Sequence, residues 1–106
     1  MKNNYGLPAN ELIKIFKRDK FCVYCHKKMT EHTANKKRTD WWTIEHLNYL
    51  PPWNNPSTVV ICCWGCNSSR GNKKISDWFE SEYCLKRNIG IESVPPYVRK
   101  YIHDNE

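Results

Sequence analysis

The sequence predicts a small α+β domain in which two short strands run into a helix and paired cysteines staple the ends together. Three observations lead there. Trp41-Trp42-Thr43-Ile44-Glu45-His46 and Thr58-Val59-Val60-Ile61-Cys62 have the β-branched and aromatic composition of strands. Residues 47–57 lie between them, carry Pro51, Pro52, Pro56, Asn54 and Asn55, and read as a loop. Cys22-x-x-Cys25 and Cys63-x-x-Cys66 have the spacing of metal ligands, with 37 residues between Cys25 and Cys63.

A chain of 106 residues suits one domain, which we take as 1–106, with a core over about 20–74 and a helical extension over about 75–106. Hydrophobic residues make up 40%, which argues against wholesale disorder. Six cysteines accompany no apolar leader and no apolar run long enough for a bilayer. The expectation is a cytoplasmic protein with no membrane partner. In that setting paired cysteines more often hold a metal than form disulfides. The net charge of +6 is unevenly spread: residues 1–74 carry 13 Lys/Arg against 5 Asp/Glu, and residues 75–106 carry 4 against 6. The positive charge travels with the cysteine motifs and suggests a polyanionic partner.

Taken in order, residues 1–6 read as a loose leader. Asn10 is positioned to cap a helix over about 11–18, with Leu12, Ile13, Ile15 and Phe16 as its apolar stripe. Residues 27–40 are polar and basic and read as a loop or weak hairpin. The two strands are expected to pair antiparallel. Cys66 to Arg70 begins a helix, and Gly71 is placed to end it in the left-handed conformation. Ser76 is the expected cap of a helix over about 77–87, and Tyr97–Ile102 can form a last turn after Pro95-Pro96.

Four thiolates in tetrahedral geometry select zinc and close its coordination shell, so Cys22, Cys25, Cys63 and Cys66 predict a structural zinc site. Cys62 competes with Cys63 for the register; Cys63 restores the two-residue spacing, and strand alternation then points Cys62 away. Cys84 reads as a buried small apolar residue. His26 could substitute as a ligand, but four thiolates leave it no position.

His46, Glu45 and Asn67 form a second constellation. A neutral histidine can act as general base near neutral pH, and oxygen donors can hold a hard cation against a developing phosphorane. Alone, a strand-end histidine is usually a structural hydrogen-bonder, and an asparagine at a helix start is usually a cap. Together with the zinc motif, they resemble the ββα-metal motif of the HNH endonucleases. The matching residues are Glu45-His46, Cys63-Trp64-Gly65-Cys66-Asn67 and Arg70, and the resemblance covers roughly residues 20–74. It implies a zinc-stabilised, treble-clef-like ββα core flanked by helices, and an enzyme that hydrolyses DNA phosphodiester bonds.

By that resemblance His46 is the general base, Glu45 and Asn67 hold a catalytic Mg²⁺ or Mn²⁺, and Arg70 contacts phosphate. Lys73, Lys74, Lys36, Lys37 and Arg38 are further candidates for nucleic-acid contact. The implied partner is double-stranded DNA, and the implied state is a monomer or weak homodimer. The chain departs from the family pattern at two positions. Glu45 stands where Asp is usual, and Thr58 stands at the middle Asn, so Thr58, Asn54 or Asn55 would have to tie the loop. Strict alternation also sets Glu45 and His46 on opposite faces of their strand. Two other readings compete: a non-catalytic treble-clef zinc module that binds nucleic acid, and a redox protein using its C-x-x-C pairs.

Overall fold

The computed structural model describes residues 5–106. Of the leader expected over 1–6, residues 1–4 lie outside the described residues. The described residues form an α+β arrangement with one two-stranded antiparallel sheet and five α-helices.

Helix α1 spans Ala9–Arg18 and starts directly after Pro8, so Asn10 falls inside the first turn and caps nothing. Leu12 and Ile15 are its buried residues, packed against Val59 and Ile61. Phe16 meets the Trp42 ring edge-on at 4.9 Å. Ile13, expected in the same stripe, points to solvent.

Strand β1 is Trp42–His46 and strand β2 is Val59–Cys63, in the register Trp42↔Cys63, Ile44↔Ile61, His46↔Val59. All five residues of β2 are buried. Its Val59 and Ile61 face α1, while Val60 and Cys62 join the larger core with Tyr24, Trp78 and Val98. The outer edge of β2 is closed by the chain around residues 18–23. Arg18 Nη2 donates to the Val59 carbonyl at 3.1 Å, Asp19 Oδ2 accepts the Ile61 N–H at 3.0 Å, and Val23 N donates to the Ile61 carbonyl at 3.3 Å.

Helix α2 (Trp64–Arg70) follows β2 without a loop, its first turn capped by the Cys63 sulfur. It therefore starts two residues earlier than expected. Gly71 ends it with φ +57°, the positive angle expected there. The helix expected over 77–87 is two helices, α3 (Ile75–Trp78) and α4 (Glu82–Arg87). Ser81 caps α4 by accepting the Cys84 N–H. Ser76 is no cap: its hydroxyl donates to Glu106, whose carboxylate also accepts the Ile75 and Ser76 N–H groups that open α3. Helix α5 (Pro96–Asn105) is longer than the single turn expected, since Pro96 fits the first helical position, where no N–H is needed. Ile75, Trp78, Val98 and Ile102 place these helices on the same core as the cysteines and Val60.

Asp19, 2% exposed, joins three elements. It accepts the Ile61 N–H, two bonds from Arg18 at 2.9 Å each, and the Tyr97 hydroxyl of α5. Asp19→Ala would strand a buried amide and a guanidinium together, so we expect a loss of about 3 kcal/mol. Asp19→Asn keeps an acceptor and should lose less. Urea denaturation of the zinc-loaded variants measures both; equal stability of Asp19→Ala and wild type would contradict the assignment.

Candidate metal centre and active site

The sulfurs of Cys22, Cys25, Cys63 and Cys66 all lie within 4.8 Å of one another, a cluster that can hold a metal ion. Cys25 Sγ and Cys63 Sγ are 3.7 Å apart. Tetrahedral zinc with bonds of about 2.3 Å separates its sulfurs by about 3.8 Å, so the donor set fits that ion. The hairpin around Cys22–Cys25 closes through the Cys22 N–H to the Lys27 carbonyl and the His26 N–H to the Cys22 carbonyl.

Three donors point at sulfur: the Cys25 N–H to Cys22, the Cys66 N–H to Cys63 and the Tyr83 hydroxyl to Cys66, the last at 3.3 Å. Hydrogen bonding from Cys22 holds the Cys25 thiol far below the usual range and brings Cys63 down to about 7. Bonding to Cys25 and to Cys22 drives the Cys22 and Cys66 thiols respectively upward. Four sulfurs this close ionise together only with a cation among them. Cys62 is outside the cluster, its sulfur 3.6 Å from Thr43 Oγ1, and so the register falls on Cys63. His26 turns away, its Nε2 bonded to the Ser93 carbonyl at 2.5 Å.

At the end of β1, alternation separates Glu45 from His46. Glu45 shares a face with Thr43, beneath α2, and is 1% exposed. Its Oε2 accepts the Tyr24 hydroxyl at 2.9 Å and lies 3.4 Å from Arg70 Nη1. Arg70, 2% exposed, donates to the carbonyls of His46 (2.8 Å), Leu47 (2.7 Å) and Lys73 (2.6 Å). Glu45 thus faces Tyr24 and Arg70, and the Arg70 donors are taken up by backbone carbonyls. The guanidinium fork matches the adjacent carbonyls that follow β1, and Glu45 supplies its counter-charge. The pair positions His46 through its backbone.

His46 is 5% exposed. Its Nε2 lies 2.9 Å from the Trp53 carbonyl, and its ring meets Tyr5 and Trp53 edge-on at 4.5 and 5.0 Å. A carbonyl only accepts, so Nε2 carries the proton and Nδ1 is the basic nitrogen of the neutral ring. Thr58 and Asn55 both bond within the loop: the Thr58 hydroxyl donates to the Asn55 carbonyl, and Asn55 Oδ1 accepts from the Ser57 N–H and hydroxyl. The loop is tied by the Trp53 carbonyl, by Arg70, and by the Leu47 N–H to the Thr58 carbonyl at 2.8 Å.

Asn67, three residues before Arg70 on α2, donates Nδ2 to Thr43 Oγ1 (3.0 Å) and to the Ile44 carbonyl (3.2 Å). Thr43 Oγ1 spends its own proton on the Cys62 carbonyl at 2.7 Å, which fixes the amide's orientation. Asn67 Oδ1 accepts no hydrogen bond among the described residues and is available to a ligand. Asn67 lines a cavity of about 810 Å³ with Thr43, Trp42, Ile44 and Trp64. Tyr5, the ring that covers His46, forms part of the same wall.

Lys36, Lys37, Lys73 and Lys74 are exposed; Lys73 Nζ folds back on the Ser69 carbonyl at 3.1 Å. Arg38 lies over the indoles of Trp41 and Trp64. The site residues that sequence reasoning missed are Tyr24, Trp53 and Tyr5. Trp53 meets His46 through both its carbonyl and its indole, and Tyr24 stands between the ligands of the first C-x-x-C pair, where no motif marks it.

Cys66→Ser should lose stoichiometric zinc and the cooperative thermal transition, while Cys62→Ala retains the metal; native mass spectrometry and calorimetry together check this. Burial pushes the Glu45 carboxyl up to about 7, prevailing over the opposing pull of Arg70 and Tyr24. A raised value adds stability below the unfolded value of about 4.3 and loses it as pH rises through the folded one. Wild type should therefore lose up to about 3 kcal/mol relative to Glu45→Gln between about pH 5 and pH 8. Paired denaturation curves at matched zinc occupancy measure the gap; a gap independent of pH would refute the burial argument.

No helix among the described residues is long and apolar enough to cross a membrane. No family profile matches the chain, and neither a curated protein nor a solved structure is significantly similar to it.

Proposed function

We propose that the chain is a metal-dependent endonuclease of the HNH type, with a treble-clef-like ββα-metal core, that hydrolyses DNA phosphodiester bonds. The observation that carries this reading is the fixed tautomer of His46. With Nε2 bonded to the Trp53 carbonyl, Nδ1 is left to take a proton from water. The hydroxide so formed attacks phosphorus, and the protonated ring is held by the same carbonyl.

Asn67 Oδ1 is the protein oxygen free to hold Mg²⁺ or Mn²⁺. A single neutral oxygen makes a weak site by itself, and Mg²⁺ characteristically keeps waters and draws its remaining ligands from substrate phosphate. When bound, the cation supplies charge neutralisation at the phosphate and the leaving oxygen. Lys73, Lys74, Lys36, Lys37 and Arg38 remain for contact with the nucleic-acid backbone, and one site per chain cuts one strand at a time.

The competing reading, a zinc module that binds nucleic acid without chemistry, has its own support: His46 is nearly inaccessible beneath Tyr5, and Glu45 is sequestered. Cleavage of supercoiled plasmid by zinc-loaded protein separates the two. We expect cleavage that requires added Mg²⁺ or Mn²⁺, a loss of at least about a hundredfold in His46→Ala, and survival of activity in Glu45→Gln. Binding with steep salt dependence and no turnover would establish the module instead.

A further inference from the structure

We propose that the cavity beside Asn67 takes an unpaired nucleobase, stacked on Trp64, so that the chain prefers single-stranded or locally opened nucleic acid. This rests on the nuclease reading only for its substrate class; the pocket is argued from its own walls. A domain this small should keep its indoles inside, and Trp78 is 0% exposed. Trp64 is 36% exposed, although it stands between the candidate zinc ligand Cys63 and Gly65, with its backbone N–H held by the Trp41 carbonyl at 2.8 Å. The main chain is thus fixed where the indole lines the cavity.

The charged residue of the wall itself is Glu31, and the cations that suit a nucleotide's phosphate stand beside the wall rather than on it. The Arg38 guanidinium lies 5.7 Å from the Trp64 ring, and Lys36 and Lys37 precede it on an exposed run. His32, another wall residue, stacks on Trp41 at 5.0 Å with its plane tilted by 14°. The Ser68 hydroxyl, without hydrogen bonds among the described residues, offers a donor and an acceptor for a base edge. Aromatic faces interleaved with cations are the chemistry by which single strands are held, because every base presents a π-face and every nucleotide a phosphate. A paired duplex presents its phosphates to the same cations and keeps its bases stacked away from Trp64.

The test is fluorescence anisotropy of zinc-loaded protein, without Mg²⁺ or Mn²⁺, against a short single-stranded DNA and the duplex of the same sequence. A 2-aminopurine in the single strand should be quenched on binding. Trp64→Ala should weaken single-strand binding by about tenfold, Trp64→Phe should restore most of it, and duplex binding should be unchanged. Equal loss on both substrates, no loss on either, or no binding of the single strand overturns the pocket. Trp64-dependent stacking without metal-dependent plasmid cleavage sinks the nuclease reading and keeps the pocket. Cleavage without any Trp64 dependence does the reverse.

Discussion

Thirty-seven residues separate Cys25 from Cys63, yet their sulfurs stand 3.7 Å apart. Closing a loop of that length costs chain entropy, and crowding four thiols together costs electrostatic energy. A cation among the sulfurs answers both. The rest of the arrangement inherits its register from this point. Cys63 and Cys66 bracket the first turn of α2, which fixes where Trp64, Asn67 and Arg70 stand over β1. Cys22 and Cys25 bracket Tyr24, which reaches across to Glu45. The two cysteine pairs thus tie the start of the helix to the N-terminal hairpin.

Buried ion pairs are weak contributors to stability, because desolvation offsets most of the attraction. The Glu45–Arg70 pair has a different use. Arg70 spends its donors on the His46, Leu47 and Lys73 carbonyls, so the chain leaves β1 in one direction only. Tyr24 and Arg70 both steady Glu45, linking the N-terminal cysteine hairpin to the strand end. Removal of the carboxylate's charge leaves Arg70 with three carbonyl partners.

Much of this was legible in the sequence because it is periodic or spaced. The two strands, their pairing, the helix after β2 and the choice of Cys63 over Cys62 follow from composition, alternation and the C-x-x-C interval. Alternation sets Glu45 and His46 on opposite faces of β1, and the structure keeps them there. What stayed hidden depends on contacts distant along the chain. Asp19 sits in no motif and meets Ile61 and Tyr97 only through tertiary packing. Ser76 looks like a helix cap, yet Glu106 from the far end of the chain takes that role. Ile13 fits an apolar stripe by spacing and faces water, while Leu12 and Ile15 take the contacts with β2.

The Trp53 carbonyl that holds His46 belongs to the backbone, and every residue type supplies one. An orienting side chain ties a catalytic group to the identity of a particular residue. An orienting carbonyl ties it to the path of the chain. Thr58 can then stand where an asparagine might be looked for, because the bond to His46 asks for the course of the loop and not for a particular side chain at its end. The constraint that this bond sets on the segment is one of shape.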